Sequence, residues 1–439
     1  MERAALVVLA LVAQFITGCA YSMIVDGHID ETQFQELTRR TAEARGLPIP
    51  DDVPARSVRK AEIPALLERL VREEYTPEEL ADIEDKLIAM GLWSPQHDYV
   101  EVITQFSGDT LAGLYIPDEA TLYVVEDVEI PFSVRLVSAI ARRDLMREFT
   151  LAHEIIHLLQ HRAYPDLFEK TKTRQQADAV GSLQTAIEGD ATRYGFVAVL
   201  PPGAALPDPD AFREELEAEN AAAGEEDHSG SPAVIRLTLA FPYSYGYGLS
   251  LAEGSALLTS PPASTEQILH PEQRNADFWA IDLAPLEAAL DDACRSLGQE
   301  SLGELGLSVL FRDLADPEAS GGPELSEVWE GWDGDRYLVA DCAGQRELFW
   351  WTEWDSIGDA EEFAAAYTAI APAVQARAEM DAPPEARVDG RRVLVTTRGF
   401  RSARSAPEEA ARRARVATLD ALFAHFGLES AAATDSASR

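Results

Sequence analysis

Residues 138–160 contain neither Pro nor Gly, and apolar side chains recur there at Ile140, Leu145, Phe149, Ala152, Ile156 and Leu159. That spacing follows the helical period and predicts one long helix with a single buried face. Pro165 supplies its stop. A second helical run covers 174–200, with its stripe at Ala177, Val180, Leu183, Ile187, Ala191, Tyr194 and Val197. Ahead of both, 111–117 and 121–125 read as two short strands around an acidic turn. Thr76-Pro77-Glu78-Glu79 opens a further helix with a capping box and a Pro at the first helical position, and Gly91 closes it. Its apolar residues Leu80, Ile83, Leu87 and Met90 share one face. Toward the C-terminus, 283–313 suggests two helices, and 336–340 with 346–351 a strand pair across Cys342-Ala343-Gly344. Then follow a helix at 359–367, a strand at 391–397 and a last helix at 407–426. Helices dominate and the strands are short, so the expected class is α+β.

Composition shifts mark the boundaries. Residues 19–60 read as a polar tether with one short helical piece at 30–43, and 61–310 as the main domain. Within that domain, 201–232 is rich in Pro, Ala and Glu and poor in large apolar residues, as an exposed insertion with a short charged helix at 210–220 would be. Residues 311–428 form a smaller α+β region, and 429–439 a disordered tail.

His153-Glu154-Ile155-Ile156-His157 makes the first helix a candidate metal site. Residues i and i+4 lie one above the other, so both imidazoles can reach one ion. Glu154 can then act as general base on a water held by that ion. A catalytic zinc site takes three protein ligands and leaves the fourth position to water, so a third donor is needed. Glu188 borders the apolar stripe of the next helix, where a carboxylate is costly unless something pairs with it. Asp190, two residues on, is positioned to orient a ligand imidazole through its second nitrogen. Without a metal, the same residues read as two histidines on an amphipathic helix and a solvated carboxylate pair.

The pattern resembles that of the gluzincin branch of the zincin metallopeptidases, which pair His-Glu-x-x-His with a glutamate from a later helix. The resemblance implies that His153, His157 and Glu188 bind one Zn2+ and that Glu154 is the catalytic base. It also implies a zincin-like core, in which a substrate-binding edge strand precedes the motif helix. The 111–125 hairpin is the candidate, and an extended peptide could join its edge by main-chain hydrogen bonds. Thermolysin-like enzymes place the glutamate nearer and follow it four residues later with Asp, whereas Thr192 occupies that position here. Phe241-Pro242-Tyr243-Ser244-Tyr245-Gly246, 261–271, Gly303-Glu304-Leu305-Gly306 and 331–337 are similar to segments of an uncharacterised bacterial group of zincins with the same Glu-Gly-Asp-Ala helix. A zinc peptidase needs a hydrogen-bond donor for the oxyanion of its tetrahedral intermediate. His270 ranks first for that role, ahead of Tyr243, Tyr245 and Arg336, each with an ordinary structural role as the alternative. Asp333 and Asp335 around Gly334 read as a turn, far short of a calcium loop.

After Met1-Glu2-Arg3, residues 4–16 form an uncharged, largely apolar run that leads into Thr17-Gly18-Cys19. The run is too short for a spanning anchor and fits the core of a secretory signal. Ile16-Thr17-Gly18-Cys19 resembles the cleavage box of bacterial lipoproteins, which implies removal of 1–18 and a lipid anchor on Cys19. A plain signal peptide cut nearby is the alternative. By the same resemblance, Ala20 after the cysteine favours the outer membrane. In an oxidising compartment Cys294 and Cys342 are then either a disulfide or two buried thiols.

Charge argues against one class of partner. The 439 residues carry 37 Lys+Arg against 76 Asp+Glu, a formal net charge of -39, which opposes binding to nucleic acid or to anionic membrane by charge alone. Hydrophobic residues at 46% exclude wholesale disorder. The expected protein is therefore an exported, lipid-anchored zinc metallopeptidase acting on a peptide or protein. Its rivals are a zincin-fold surface binding or assembly factor without turnover, and a zinc hydrolase of non-peptide amides.

Overall fold

The computed structural model describes residues 22–401, except 129, 131, 174–175, 227–231, 276–279, 291–293, 316–327, 343 and 398–399. The expected signal at 1–18, Cys19, the helix at 407–426 and the tail at 429–439 lie outside the described residues. Within them the protein is α+β, as its pattern predicts.

A two-residue hairpin (Ile24–Val25 with His28–Ile29) leads into helix α1, Glu31–Arg45, which Asp30 caps by accepting from the Gln33 N–H. Strand β1, Ala55–Val58, and helices Ile63–Glu74, Pro77–Ala89 and Tyr99–Thr110 follow. The Thr76–Glu79 capping box forms as expected. Strands β2, Gly113–Ile116, and β3, Thr121–Val125, flank a 3-10 turn at Pro117–Glu119. In this small sheet β3 is central. β1 pairs with it in parallel and β2 antiparallel, with Gly113 opposite Val124 and Tyr115 opposite Leu122, so β2 has one open edge.

The single helix expected over 138–160 is two: α2, Phe132–Ala141, and α3, Leu145–Ala163. Between them Arg142 turns left-handed (φ 55) and the Arg143 N–H returns to the Ser138 carbonyl, which closes α2 as glycine-ended helices close. Ile140 is consequently 72% exposed and no part of the α3 stripe. From Thr150 to Gln160 every residue of α3 is buried, because α1, the small sheet and α4 (Ala177–Val199) surround it. Phe34, Leu37, Leu122, Val124, Leu151, Ile155, Leu158 and Ala191 form that core.

The segment 19–60 is therefore no tether over its described part. Met23 and α1 are packed into the core, and Arg45 forms a buried ion pair with Asp190 at 2.8 Å. Nor is 201–232 a solvated excursion. A helix at Pro209–Glu226 lies along α5, Ala233–Glu253, where Phe212 meets Tyr247 edge-on at 5.1 Å and the Tyr247 hydroxyl donates to the Pro207 carbonyl.

The second sheet comprises β4 (Cys294–Glu300), β5 (Trp332–Cys342), β6 (Gln345–Trp354), β7 (Glu385–Asp389), β8 (Arg392–Thr396) and β9 (Phe400–Arg401). Its order is β4-β5-β6-β8-β7, with β9 also on β6. Two helices had been expected across 283–313. Instead a short helix at Ala284–Ala288 precedes β4, and only Gly303–Leu314 (α6) is a full helix. The expected turn at Asp333–Asp335 lies inside β5, where a bulge between Trp332 and Gly334 lets Asp335 face inward. Its carboxylate accepts from the Leu302 and Gly303 N–H groups at the start of α6 and from the Trp350 indole. Helix α7, Ile357–Arg377, covers the sheet with Phe363 and Tyr367 against Trp350 and Trp354. That core also takes Ile88, Trp93, Leu307 and Phe311, so the boundary expected at 310/311 cuts through one hydrophobic cluster.

Cys294 and Cys342 face each other across β4 and β5 and are disulfide-bonded. Closing a loop between residues 48 positions apart restricts the unfolded chain by about 4 kcal/mol on the loop-entropy scale. Reduction should lower the urea midpoint accordingly, and an unchanged midpoint in dithiothreitol would refute a stabilising role.

A buried acidic group joins α4 to α6. Burial, with Asp335 and Glu304 nearby, lifts Asp178 to about 7, against its hydrogen bonds from the Thr265 hydroxyl and N–H. A carboxyl raised in the folded state binds a proton there that the unfolded chain has already released. Its contribution to stability is thus lost as pH rises from about 4 through 7. Asp178→Asn should gain on the parent protein by a few kcal/mol between pH 4 and 8. Denaturation curves of both proteins at the two pH values test this, and a difference that does not move with pH contradicts it.

Candidate metal centre

Helix α3 sets His153 and His157 one turn apart on the face that meets α4, and α4 brings Glu188 to them. His153 Nε2 lies 2.9 Å from Glu188 Oε2, His157 Nε2 lies 3.3 Å from the same oxygen, and the two Nε2 atoms are 3.0 Å apart. Both histidines are buried, at 7% and 8% exposure, so neither ring's convergence is a surface accident. Electrostatics asks for a cation at this point. Burial opposes charge on His157, yet Glu188 above all raises it to about 9. Burial likewise opposes charge on Glu188, and His157 and His153 hold it far below the carboxylate range. Ligand nitrogens bound ~2.0–2.1 Å from a tetrahedral zinc are ~3.3 Å apart, close to the separation found. His153, His157 and Glu188 can hold one metal ion.

The far side of His157 is fixed by a chain of hydrogen bonds that the sequence did not disclose. His157 Nδ1 donates to Gln160 Oε1 at 2.9 Å, which leaves Nε2 as the ring nitrogen facing the cluster. Gln160 Nε2 donates to Asp190 Oδ2 at 2.9 Å and to the Ile187 carbonyl at 3.0 Å, so its amide can point only one way. Arg45 Nε donates to the same Asp190 oxygen at 2.8 Å. Asp190 was expected on the imidazole itself. The structure places it one residue farther out, behind Gln160, with its charge balanced by α1. A polar residue one turn after the second histidine could have signalled Gln160. Nothing local could have signalled Arg45, which is 145 positions from Asp190.

Glu154 sits under the open-edged strand β2. Burial raises its carboxyl above the ordinary range, while His153, His157 and the Tyr115 N–H draw it down. Strand and helix touch because position 113 is glycine. A Cβ there would lie 2.6 Å from Thr150 Cγ2 and 3.1 Å from Glu154 Oε1. The Tyr115 hydroxyl bonds His161 Nδ1 at 2.9 Å and clamps the strand two turns farther along α3.

Of the four expected oxyanion donors, the structure brings only Tyr243 to the cluster. Its ring is 6.0 Å from that of His153, and Glu188 is the largest influence on its hydroxyl. Glu188, burial and Glu154 together push its pKa well above the usual tyrosine value, so it is a proton-bearing phenol. At 39% exposure its ring also meets solvent. Tyr243 arrives here because α5 crosses α4 with backbones in contact at Gly189 and Gly246. His270 is elsewhere engaged: its Nε2 is 2.7 Å from Glu304 Oε1 on α6, a pairing that raises it to about 9, and its other partner is Glu272. The loop that carries it packs on α6, so its ranking as first candidate is overturned. Tyr245 faces the opposite way, stacked on Phe241 and under the Arg213 guanidinium. Arg336 lies on β5 beside Gln299.

Comparison with known proteins reaches another part of the chain. The family described as a Domain of unknown function (DUF8575) matches residues 292–416, which begin at the second sheet and exclude every residue of the metal cluster. No curated protein and no solved structure matches the chain.

Proposed function

We propose that the protein is a zinc metallopeptidase of the gluzincin kind, exported and held to a bacterial envelope, outer membrane favoured, by a lipid on Cys19. The observation that carries this reading is the buried Glu154 carboxylate beside a three-donor cluster and beneath a strand edge. His153, His157 and Glu188 would hold the ion, which when bound would supply Lewis acidity for a scissile carbonyl and for activating water. Glu154, raised by burial, is tuned to take a proton from the attacking water and return it to the leaving amine. Tyr243 keeps its proton and donates a hydrogen bond to the oxygen on which negative charge develops. The outer edge of β2 offers main-chain groups to an extended peptide. Gln160, with Asp190 and Arg45 behind it, holds His157 in the tautomer that coordinates.

The test is elemental analysis of the purified protein coupled to a peptide-library digest, with and without phenanthroline. One zinc per chain and chelator-sensitive cleavage support the reading. Stoichiometric metal without cleavage of any peptide would assign the fold to binding instead.

A further inference from the structure

Helix α2 carries an apolar face that nothing in the described protein covers. Leu136, Val137 and Ile140 are 48%, 53% and 72% exposed, and they lie at i, i+1 and i+4, on one side of the helix. Among the described residues no other element exposes three large apolar side chains. Arg135 and Arg142 flank them and are exposed. Arg143 is committed to Glu148, whereas no carboxylate among the described residues pairs with the other two. A basic border on an apolar face is unexpected in a chain of net charge -39.

The chain's own path supplies the partner. Asp144, which follows α2, accepts from the Ser22 hydroxyl at 3.3 Å and the Met23 N–H at 3.2 Å. The polypeptide therefore enters the fold at the end of α2. Only five residues separate Ser22 from the apolar run 4–16, and only two separate it from Cys19. Fully extended, those stretches reach about 20 Å and about 10 Å, and α2 itself is about 15 Å long. Whatever draws the N-terminus to a bilayer, the run itself or a lipid on Cys19, brings α2 with it. No helix among the described residues is long and apolar enough to span a membrane.

We propose that α2 docks in the interface of an anionic phospholipid bilayer, with Leu136, Val137 and Ile140 among the acyl chains and Arg135 and Arg142 at the phosphates. The metal centre has no part in this, so the docking stands or falls apart from the proposed activity.

The probe is the full chain carrying Cys19→Ser and Ile140→Cys, labelled with bimane and mixed with vesicles of phosphatidylethanolamine and phosphatidylglycerol. Blue-shifted emission and several-fold weaker iodide quenching are expected on vesicles, while a label at the exposed Ile357 position should be unaffected. A probe that is quenched equally on vesicles carrying the protein overturns the proposal. So does one already shielded without vesicles, because the 4–16 run or a second copy would then be the occupant. Leu136→Ser with Ile140→Ser should lower vesicle partitioning by about tenfold or more at an unchanged melting temperature. Arg135→Gln and Arg142→Gln should each lower it about fivefold on anionic vesicles and leave neutral ones unaffected. Partitioning that ignores all four changes also rejects the idea.

Discussion

Glu154→Gln is expected to retain its metal and lose hydrolysis, with kcat lower by ~10²–10⁴ and KM little changed. The three converging donor atoms come from His153, His157 and Glu188, so the substitution leaves the ligand set whole. Gln has the size of Glu and can still accept from the Tyr115 N–H under Gly113. It cannot accept a proton from water at any working pH. Because burial penalises the charge on Glu154, the neutral amide should also stabilise the fold. Loss of activity with a higher melting temperature and unchanged metal content is a combination that a merely structural glutamate would not produce. A variant that turns over peptides at the parental rate would remove Glu154 from the chemistry.

Gly189→Ala should cost the fold about 4 kcal/mol or more, above the ~1–3 kcal/mol usual for overpacking. A Cβ at 189 would stand 1.9 Å from the Gly246 carbonyl oxygen and 2.3 Å from its carbon. Both obstacles are backbone, so no side chain can rotate away, and α4 and α5 must separate. The residues on either side place this contact beside the metal cluster. Glu188 precedes Gly189 on α4, and Tyr243 lies one turn before Gly246 on α5. Separating the helices should move Tyr243 away from Glu188 and weaken metal binding along with stability. Gly181 on the same helix is the control. Its added Cβ would come no closer than 4.0 Å to Thr265 Cγ2, so Gly181→Ala should be neutral or stabilising by up to ~1 kcal/mol. Denaturation and zinc titration of the two variants should diverge sharply, and similar behaviour would show that the crossing is not close-packed.

The differences between expectation and structure share one cause. The apolar spacing continues through 138–160, but Ile140 belongs to a face turned outward, and spacing cannot tell core from surface. Arg142 in a left-handed conformation carries no glycine to announce the break. Tyr243 rather than His270 lies beside the cluster because the α4–α5 crossing decides which side chain arrives, whereas His270 pairs with Glu304. The α1 segment looked like tether because its charges outnumber its apolar residues. Its few apolar side chains, Phe34 and Leu37 among them, all point into the α3 core.

The sequence by itself determined the helix pair with His153, Glu154, His157 and Glu188, the hairpin at 113–125, the capped helix at 77–89 and the α+β class. Each of these is written in residues within a few turns of one another, since helix and strand periods are properties of a local backbone. Only the tertiary structure decided that Gln160, Asp190 and Arg45 stand behind His157, that Gly113 admits Glu154 beneath β2, and that Gly189 and Gly246 bring Tyr243 to Glu188. Those contacts join elements up to 145 positions apart. They depend on how closely and in what register whole elements pack, which is settled by the shape of both surfaces together.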